Sequence, residues 1–162
     1  MTLTSAESAR YARHLVLKGI GGTGQQRIKA ARVLVVGAGG LGSPVIAYLA
    51  AAGVGTLGVA DPDSVSVSNL QRQIIFSDAD EGAPKTRSAE RFVAGINPHL
   101  RFVPHAVALN EANAAGIVAL HQRKNGGTGR ECLIFPGPSI YFFLSINRFR
   151  KIVIQALSQY LY

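Results

Sequence analysis

Six residues, Gly37-Ala38-Gly39-Gly40-Leu41-Gly42, form the pattern Gly-x-Gly-x-x-Gly directly after a Val-rich run, Arg32 to Val36. In that position each glycine has a physical role. Gly37 permits a tight turn. Gly39 and Gly40 leave their backbone N–H groups free of a Cβ, so that a phosphate can approach. Gly42 lets a following helix pack closely on the strand. The N-terminus of that helix carries partial positive charge and faces an anion. Alone, the pattern is a weak signal. Asp61 strengthens it, standing 19 residues beyond Gly42 at the end of the next apolar run, Thr56 to Ala60. A carboxylate there accepts hydrogen bonds from ribose hydroxyls.

A glycine loop with such an acid fits NAD, FAD or ATP equally. The residues that follow separate them. Asp63, Asn69, Arg72, Gln73 and Lys85 cluster as polar groups after the second strand. Hydride transfer needs few cations beyond the pyrophosphate cradle. Nucleotidyl transfer needs them, because negative charge grows on the α-phosphate and on the leaving pyrophosphate. Arg72 and Lys85 can supply that charge. As single residues they would read as ordinary surface cations; at these spacings the set favours function.

The elements that must position these groups follow from pattern. Glu7 to Leu17 reads as a short helix, with Leu3, Ala6, Tyr11, Leu15 and Val16 as its apolar stripe. Gly19 to Gly24 reads as a flexible connection, and Gln25 to Ala31 as a second short helix. Arg32 to Val36 predicts a buried parallel strand. Ser43 to Ala52 predicts a helix that tolerates Pro44 in its first turn and stops at Gly53. Thr56 to Ala60 is a second strand, Asp61 to Asn69 a polar loop, and Leu70 to Phe76 a helical turn. Ala83 to Ile96 predicts a helix opened by Pro84 and ended near Asn97-Pro98. Leu100 to Leu109 predicts a third strand, which Pro104 assigns to an edge. Asn110 to Ala119 predicts a capped helix. The order defines an α/β, Rossmann-like, doubly wound parallel sheet with an N-terminal helical segment.

Composition limits the alternatives. The chain has 162 residues, 48% hydrophobic and 16% charged, which predicts a globular fold. One Cys excludes an intramolecular disulfide framework and a four-Cys zinc site. No signal-peptide run and no spanning stretch of about 20 apolar residues is visible, so a cytoplasmic protein without a membrane partner is the expectation. The net charge is +8, but it is unevenly spread. Residues 1–118 carry 11 Lys/Arg against 8 Asp/Glu, and residues 119–162 carry 6 against 1. With no basic-aromatic module, no nucleic-acid partner is expected.

The run Asp61-x-Asp63-x-Val65-x-x-Ser68-Asn69-Leu70-Gln71-Arg72-Gln73 carries a resemblance more specific than the glycine loop. Together with the segments from Arg10 and Gly82 onward, residues 8–118 resemble the ThiF/MoeB/HesA family, bacterial relatives of ubiquitin-activating enzymes. The molybdopterin-synthase adenylyltransferases and their counterparts in thiamine synthesis are the nearest in flavour. The resemblance implies an ATP-dependent adenylyltransferase, aided by Mg²⁺. The C-terminal glycine carboxylate of a small ubiquitin-like sulfur-carrier protein attacks the α-phosphate of ATP, giving an acyl-adenylate and pyrophosphate. It also implies roles. Gly37, Gly39, Gly40 and Gly42 sit by the nucleotide, with Asp61 on the ribose. Asp63 and Gln73 join the nucleotide site. Asn69, Arg72 and Lys85 contact the triphosphate. Arg13, in Arg10-Tyr11-Ala12-Arg13-His14, resembles an arginine that reaches the neighbouring subunit's ATP in a homodimer.

The chain also departs from that pattern. The family's Asp-Gly-x-Asp-Asn segment is missing, and no Asp follows Asp80. The paired Cys-x-x-Cys zinc ligands are missing too, and no residue is assigned to a metal. Residues 119–162 form a divergent tail: polar and Gly-rich over 120–131, apolar but Pro-broken over 132–144, and a basic amphipathic pattern over 145–162. Cys132 stands in no nucleophile context. The expectation is a truncated or frame-shifted chain with an incomplete sheet of about three strands. Adenylation would then be slowed, on the order of 100- to 1000-fold for a lost charge-stabilising group. A nucleotide-binding remnant without turnover is the alternative.

Overall fold

The structure is a computed structural model that describes residues 2–121 and the backbone of residues 134 and 135. Its elements are α1 (Ser5–Arg10), α2 (Ala12–Leu15), α3 (Gly21–Ala30), β1 (Arg32–Val36), α4 (Gly42–Ala52), β2 (Thr56–Ala60), α5 (Lys85–Ile96), β3 (Arg101–His105), α6 (Glu111–Leu120) and β4 (Ile134–Phe135).

The strands form one sheet in the order β3-β2-β1-β4, and all pairings are parallel. Each early strand is followed by a helix, which returns the chain to the same edge direction and makes parallel pairing possible. Side chains alternate across the strands. Val33, Val35, Leu57 and Val59 share one core with Ile46, Leu49 and Ala50 of α4 and Ala89 and Val93 of α5. On the opposite face, Leu34 pairs in register with Gly58. The imidazole of His121, just beyond α6, lies so close to Gly58 that a Cβ there would run into it. His121 thus covers the second face of the sheet at Gly58, as a parallel sheet buried on both sides requires there.

Strands β1 and β2 and helices α4, α5 and α6 lie within a residue or two of their expected bounds. Asn110 caps α6, its side chain accepting the N–H groups of Ala112 and Asn113. Strand β3 is shorter than the run Leu100 to Leu109. It is the edge strand, where the missing N–H of Pro104 costs no ladder bond.

Three expectations are corrected. The first helix is two pieces, broken at Tyr11, and its buried side chains include Glu7 and His14, whereas Ala6 and Val16 are exposed. Polar burial wins there because each group is paired: Glu7 with Lys29 at 2.7 Å, and His14 Nδ1 with Gln25 Oε1 at 2.8 Å. Gly19 to Gly24 is not a flexible connection, because α3 already begins at Gly21 and buries Gly24 beneath Ile20. Leu70 to Phe76 is a series of turns, and the helical piece is a short 3₁₀ turn at Val67–Asn69. Beside the three strands expected, Ile134–Phe135 adds a two-residue β4 next to β1. Cys132 and the basic pattern over 145–162 lie outside the described residues.

Candidate functional site

The site lies at the carboxyl ends of β1 and β2, where a parallel α/β sheet opens a crevice. It is built first by the glycine loop. The Gly37 N–H donates to the carbonyl of Ala60 at 2.8 Å, and Gly37 has φ 91°, in the left-handed region that glycine tolerates. A Cβ on Gly42 would run into the Gly37 carbonyl oxygen, so the turn closes only with glycine there. The two inner glycines differ. A Cβ on Gly39 would meet nothing within 4 Å among the described residues. A Cβ on Gly40 would lie 3.3 Å from Cγ of Arg72. The ground over Gly39 is open, and the aliphatic stem of Arg72 lies against Gly40.

Asp61 follows β2 and is buried. Its Oδ2 accepts the N–H of Ala38 at 2.7 Å, and its Oδ1 accepts the N–H of Asp63 at 2.9 Å. Each oxygen retains a further lone pair for another donor. Lys85 opens α5, and its ammonium lies 2.9 Å from Asp63 Oδ2 and 4.0 Å from Asp61 Oδ1. The Lys85 backbone N–H donates to the Asp63 carbonyl at 2.9 Å. The loop after β2 is thus laced to the start of α5, an arrangement extended by the Ser64–Pro84 bridge.

Asn69 and Gln73 sit on the same loop. The Asn69 Oδ1 accepts the Ser66 N–H at 3.2 Å and so shapes the 3₁₀ turn. Gln73 is buried, and its Oε1 has no hydrogen-bond partner among the described residues. A buried unpaired amide oxygen is costly. Arg72 is exposed and donates from Nη1 to the carbonyl of Ser68 at 3.0 Å.

The structure thus brings together Gly37, Gly39, Gly40, Gly42, Asp61, Asp63, Arg72 and Lys85, with Asn69 and Gln73 on the loop that carries Arg72. It does not bring in Arg13. Arg13 is exposed on α2 and makes no hydrogen bond or ion pair among the described residues.

Two features were not visible as sequence motifs. The Ala38 N–H, inside the glycine loop, is the donor that ties Asp61 to it. His105, at the end of β3, meets His121 with Nε2 atoms 3.0 Å apart, and its carbonyl accepts the Asp61 N–H at 3.1 Å. Burial, reinforced by His105, Arg32 and Arg101, pulls the His121 imidazole down to about 4. Burial also lowers His105. A register-paired His at a strand end carries no composition signal.

Among the described residues no group of three or more His, Cys, Asp or Glu side chains is placed to hold a metal ion. The carboxylates of Asp61 and Asp63 are already engaged by N–H donors and Lys85. These residues do not fit a protein-held Mg²⁺. No helix of the described residues is long and apolar enough to cross a membrane.

Fold and glycine loop together define a Rossmann-like α/β domain of the kind that carries a phosphate-facing loop after its first strand. Comparison narrows the class further. Residues 11–122 match the ThiF family, and the chain belongs to it. It is 51% identical over 115 residues to the probable adenylyltransferase/sulfurtransferase MoeZ of Mycobacterium tuberculosis, covering 71% of this chain and 29% of that protein. It is 46% identical over 119 residues to the molybdopterin-synthase adenylyltransferase of Escherichia coli, covering 74% and 48%. Among solved structures, the Escherichia coli tRNA N6-threonylcarbamoyladenosine dehydratase in complex with AMP superposes with a TM-score of 0.70 at 28% identity, covering 74% of this chain and 48% of that one. The chain spans less than half the length of each of these relatives.

Proposed function

We infer that the chain binds ATP at the carboxyl ends of β1 and β2 and forms the nucleotide-binding part of an adenylyltransferase. That enzyme activates the C-terminal glycine carboxylate of a small ubiquitin-like sulfur-carrier protein in molybdopterin or thiamine synthesis. One observation carries the reading: Asp61 is hydrogen-bonded to the glycine loop through Ala38 while facing the Lys85 ammonium. One carboxylate thereby spaces a ribose-binding position between a phosphate-binding loop and a cation. The names of the relatives agree, as does the AMP complex of a structural neighbour.

In this reading the N–H groups of Gly39 and Gly40, with the free end of α4, receive the phosphates. Gly37 and Gly42 hold the loop closed. The remaining lone pairs of Asp61 accept the ribose hydroxyls. Arg72 and Lys85 stabilise charge as the carrier's carboxylate oxygen bonds to the α-phosphorus and the bond to pyrophosphate breaks. Asn69 shapes the loop and reaches the triphosphate with them. Gln73 offers its unpaired oxygen to a donor of the nucleotide. Arg13 acts on the neighbouring subunit's ATP in a homodimer. Mg²⁺, if carried in by ATP rather than held by these residues, would neutralise part of the phosphate charge. The protein is cytoplasmic in this reading.

A second reading keeps the binding and drops the turnover. Its support is that the carboxylates of Asp61 and Asp63 are already engaged by N–H donors and Lys85. Calorimetry with ATP and Mg²⁺, followed by pyrophosphate exchange on addition of a carrier protein, tests both. Binding with exchange supports the enzyme. Binding without exchange supports the remnant. Absence of binding removes both.

A further inference from the structure

Asp63 holds Lys85 at both ends, accepting its backbone N–H through the carbonyl and its ammonium through Oδ2, each at 2.9 Å. The two members of this ion pair differ in exposure. The Lys85 side chain is 6% exposed and that of Asp63 is 63% exposed. A buried ammonium must keep an anionic partner, whereas an exposed carboxylate is readily hydrated when released. Among the described residues the only other carboxylate near the ammonium is that of Asp61, at 4.0 Å and already accepting two N–H groups. The ammonium therefore has one strong partner, and that partner is the one water can take over.

We propose that Asp63 is the resting counterion of Lys85, a latch that hands the lysine to a phosphate of the incoming nucleotide. The proposal rests on the nucleotide-binding reading above and changes the part played by Asp63 from ligand contact to restraint. A phosphate over Gly39 and Gly40 competes with Asp63 for the ammonium, and the displaced carboxylate turns into solvent. Asp63 thus lowers affinity for polyphosphates twice, by occupying the lysine and by adding a negative charge beside the phosphates. It keeps the buried ammonium paired in the empty site.

The test is Asp63→Asn in the full chain, which keeps the shape and the acceptor oxygen but removes the charge. Three readouts are needed: labelling of the Lys85 amine by an acylating reagent, followed by mass spectrometry in the nucleotide-free protein; calorimetry with ATP; and calorimetry with adenosine. The expected result is several-fold faster labelling of Lys85, ATP bound roughly two- to five-fold tighter, and adenosine bound as before. In a Lys85→Met background the gain for ATP should vanish. Weaker ATP binding by D63N would overturn the latch and make Asp63 a positioning residue. Unchanged labelling would overturn it as well. ATP bound by both chains without a gain in D63N defeats the hand-over alone. Faster labelling with no ATP binding by either chain defeats the nucleotide reading and the hand-over with it.

Discussion

The carboxylate of Asp61 accepts the backbone N–H of Ala38 at 2.7 Å, across 23 residues of sequence. The bond ties the end of β2 to the middle of the glycine loop. Its other oxygen holds the Asp63 N–H. Asp61→Asn keeps only one oxygen and turns an amide N–H₂ toward a backbone donor. The expected cost is about 1–3 kcal/mol of stability, with loss of ATP binding. Urea unfolding and calorimetry on the same preparation check the pair. A D61N chain as stable as the parent would mean that the Ala38 bond contributes nothing net.

Two glycines of one loop should part company. Gly42 has no room for a Cβ, because the Gly37 carbonyl is there, while a Cβ on Gly39 would meet nothing within 4 Å among the described residues. Gly42→Ala should cost more than about 2 kcal/mol through overpacking. Gly39→Ala should stay within about 0.5 kcal/mol of the parent yet weaken ATP binding, since its methyl group occupies the open ground of the phosphate. Equal thermal shifts in the two variants would contradict this division.

His121 and Gly58 are a matched pair. The imidazole is fully buried and fills the space where a side chain on Gly58 would be. Gly58→Ala alone should destabilise by about 3 kcal/mol, and His121→Ala alone by a comparable cavity cost. The double variant should be more stable than the sum of the two predicts, by at least about 1 kcal/mol. Additive unfolding energies would show that the two positions do not share one volume.

Acid should weaken the fold in two steps. His121 is held at about 4 against an ordinary 6.5, so its unfolded form binds a proton first. The sign follows: its contribution is complete above 6.5 and is lost as the pH falls toward 4. Glu7 is held at about 2 against an ordinary 4.5, chiefly by the Lys29 hydrogen bond. Its contribution is complete above 4.5 and is lost as the pH falls toward 2. Urea midpoints measured from pH 7.5 to 2.5 should decline through both windows. H121A should flatten the upper one, and Glu7→Gln the lower one. A profile unchanged by either substitution would rule out these groups as the cause.

Much of the fold was legible because its signals are local. The strand Arg32 to Val36, the loop Gly37 to Gly42 and the stop at Gly53 are each written within a few residues. Periodicity and turn chemistry act at that range. The first helix was misread because Ala6 and Val16 are apolar by type, while the space inside was taken by Glu7 and His14 with their partners Lys29 and Gln25. Composition cannot announce a burial that depends on a partner 11 or 22 residues away. The segment Gly19 to Gly24 was misread for a related reason: glycine signals freedom, and here packing against Ile20 turned it into a helix end.

By itself, then, the sequence determined the order of elements from β1 to α6, the glycine loop, the acid at the end of β2, and a family resemblance carried by the run Asp61 to Gln73. Only the tertiary structure decided what those residues hold. It set Asp61 on Ala38, Lys85 on Asp63, Arg72 against Gly40 and His121 over Gly58. The reason is one of range. Backbone propensity and hydrophobic period are properties of neighbouring residues, but a hydrogen bond or a filled volume exists only after parallel strands bring distant chain segments side by side.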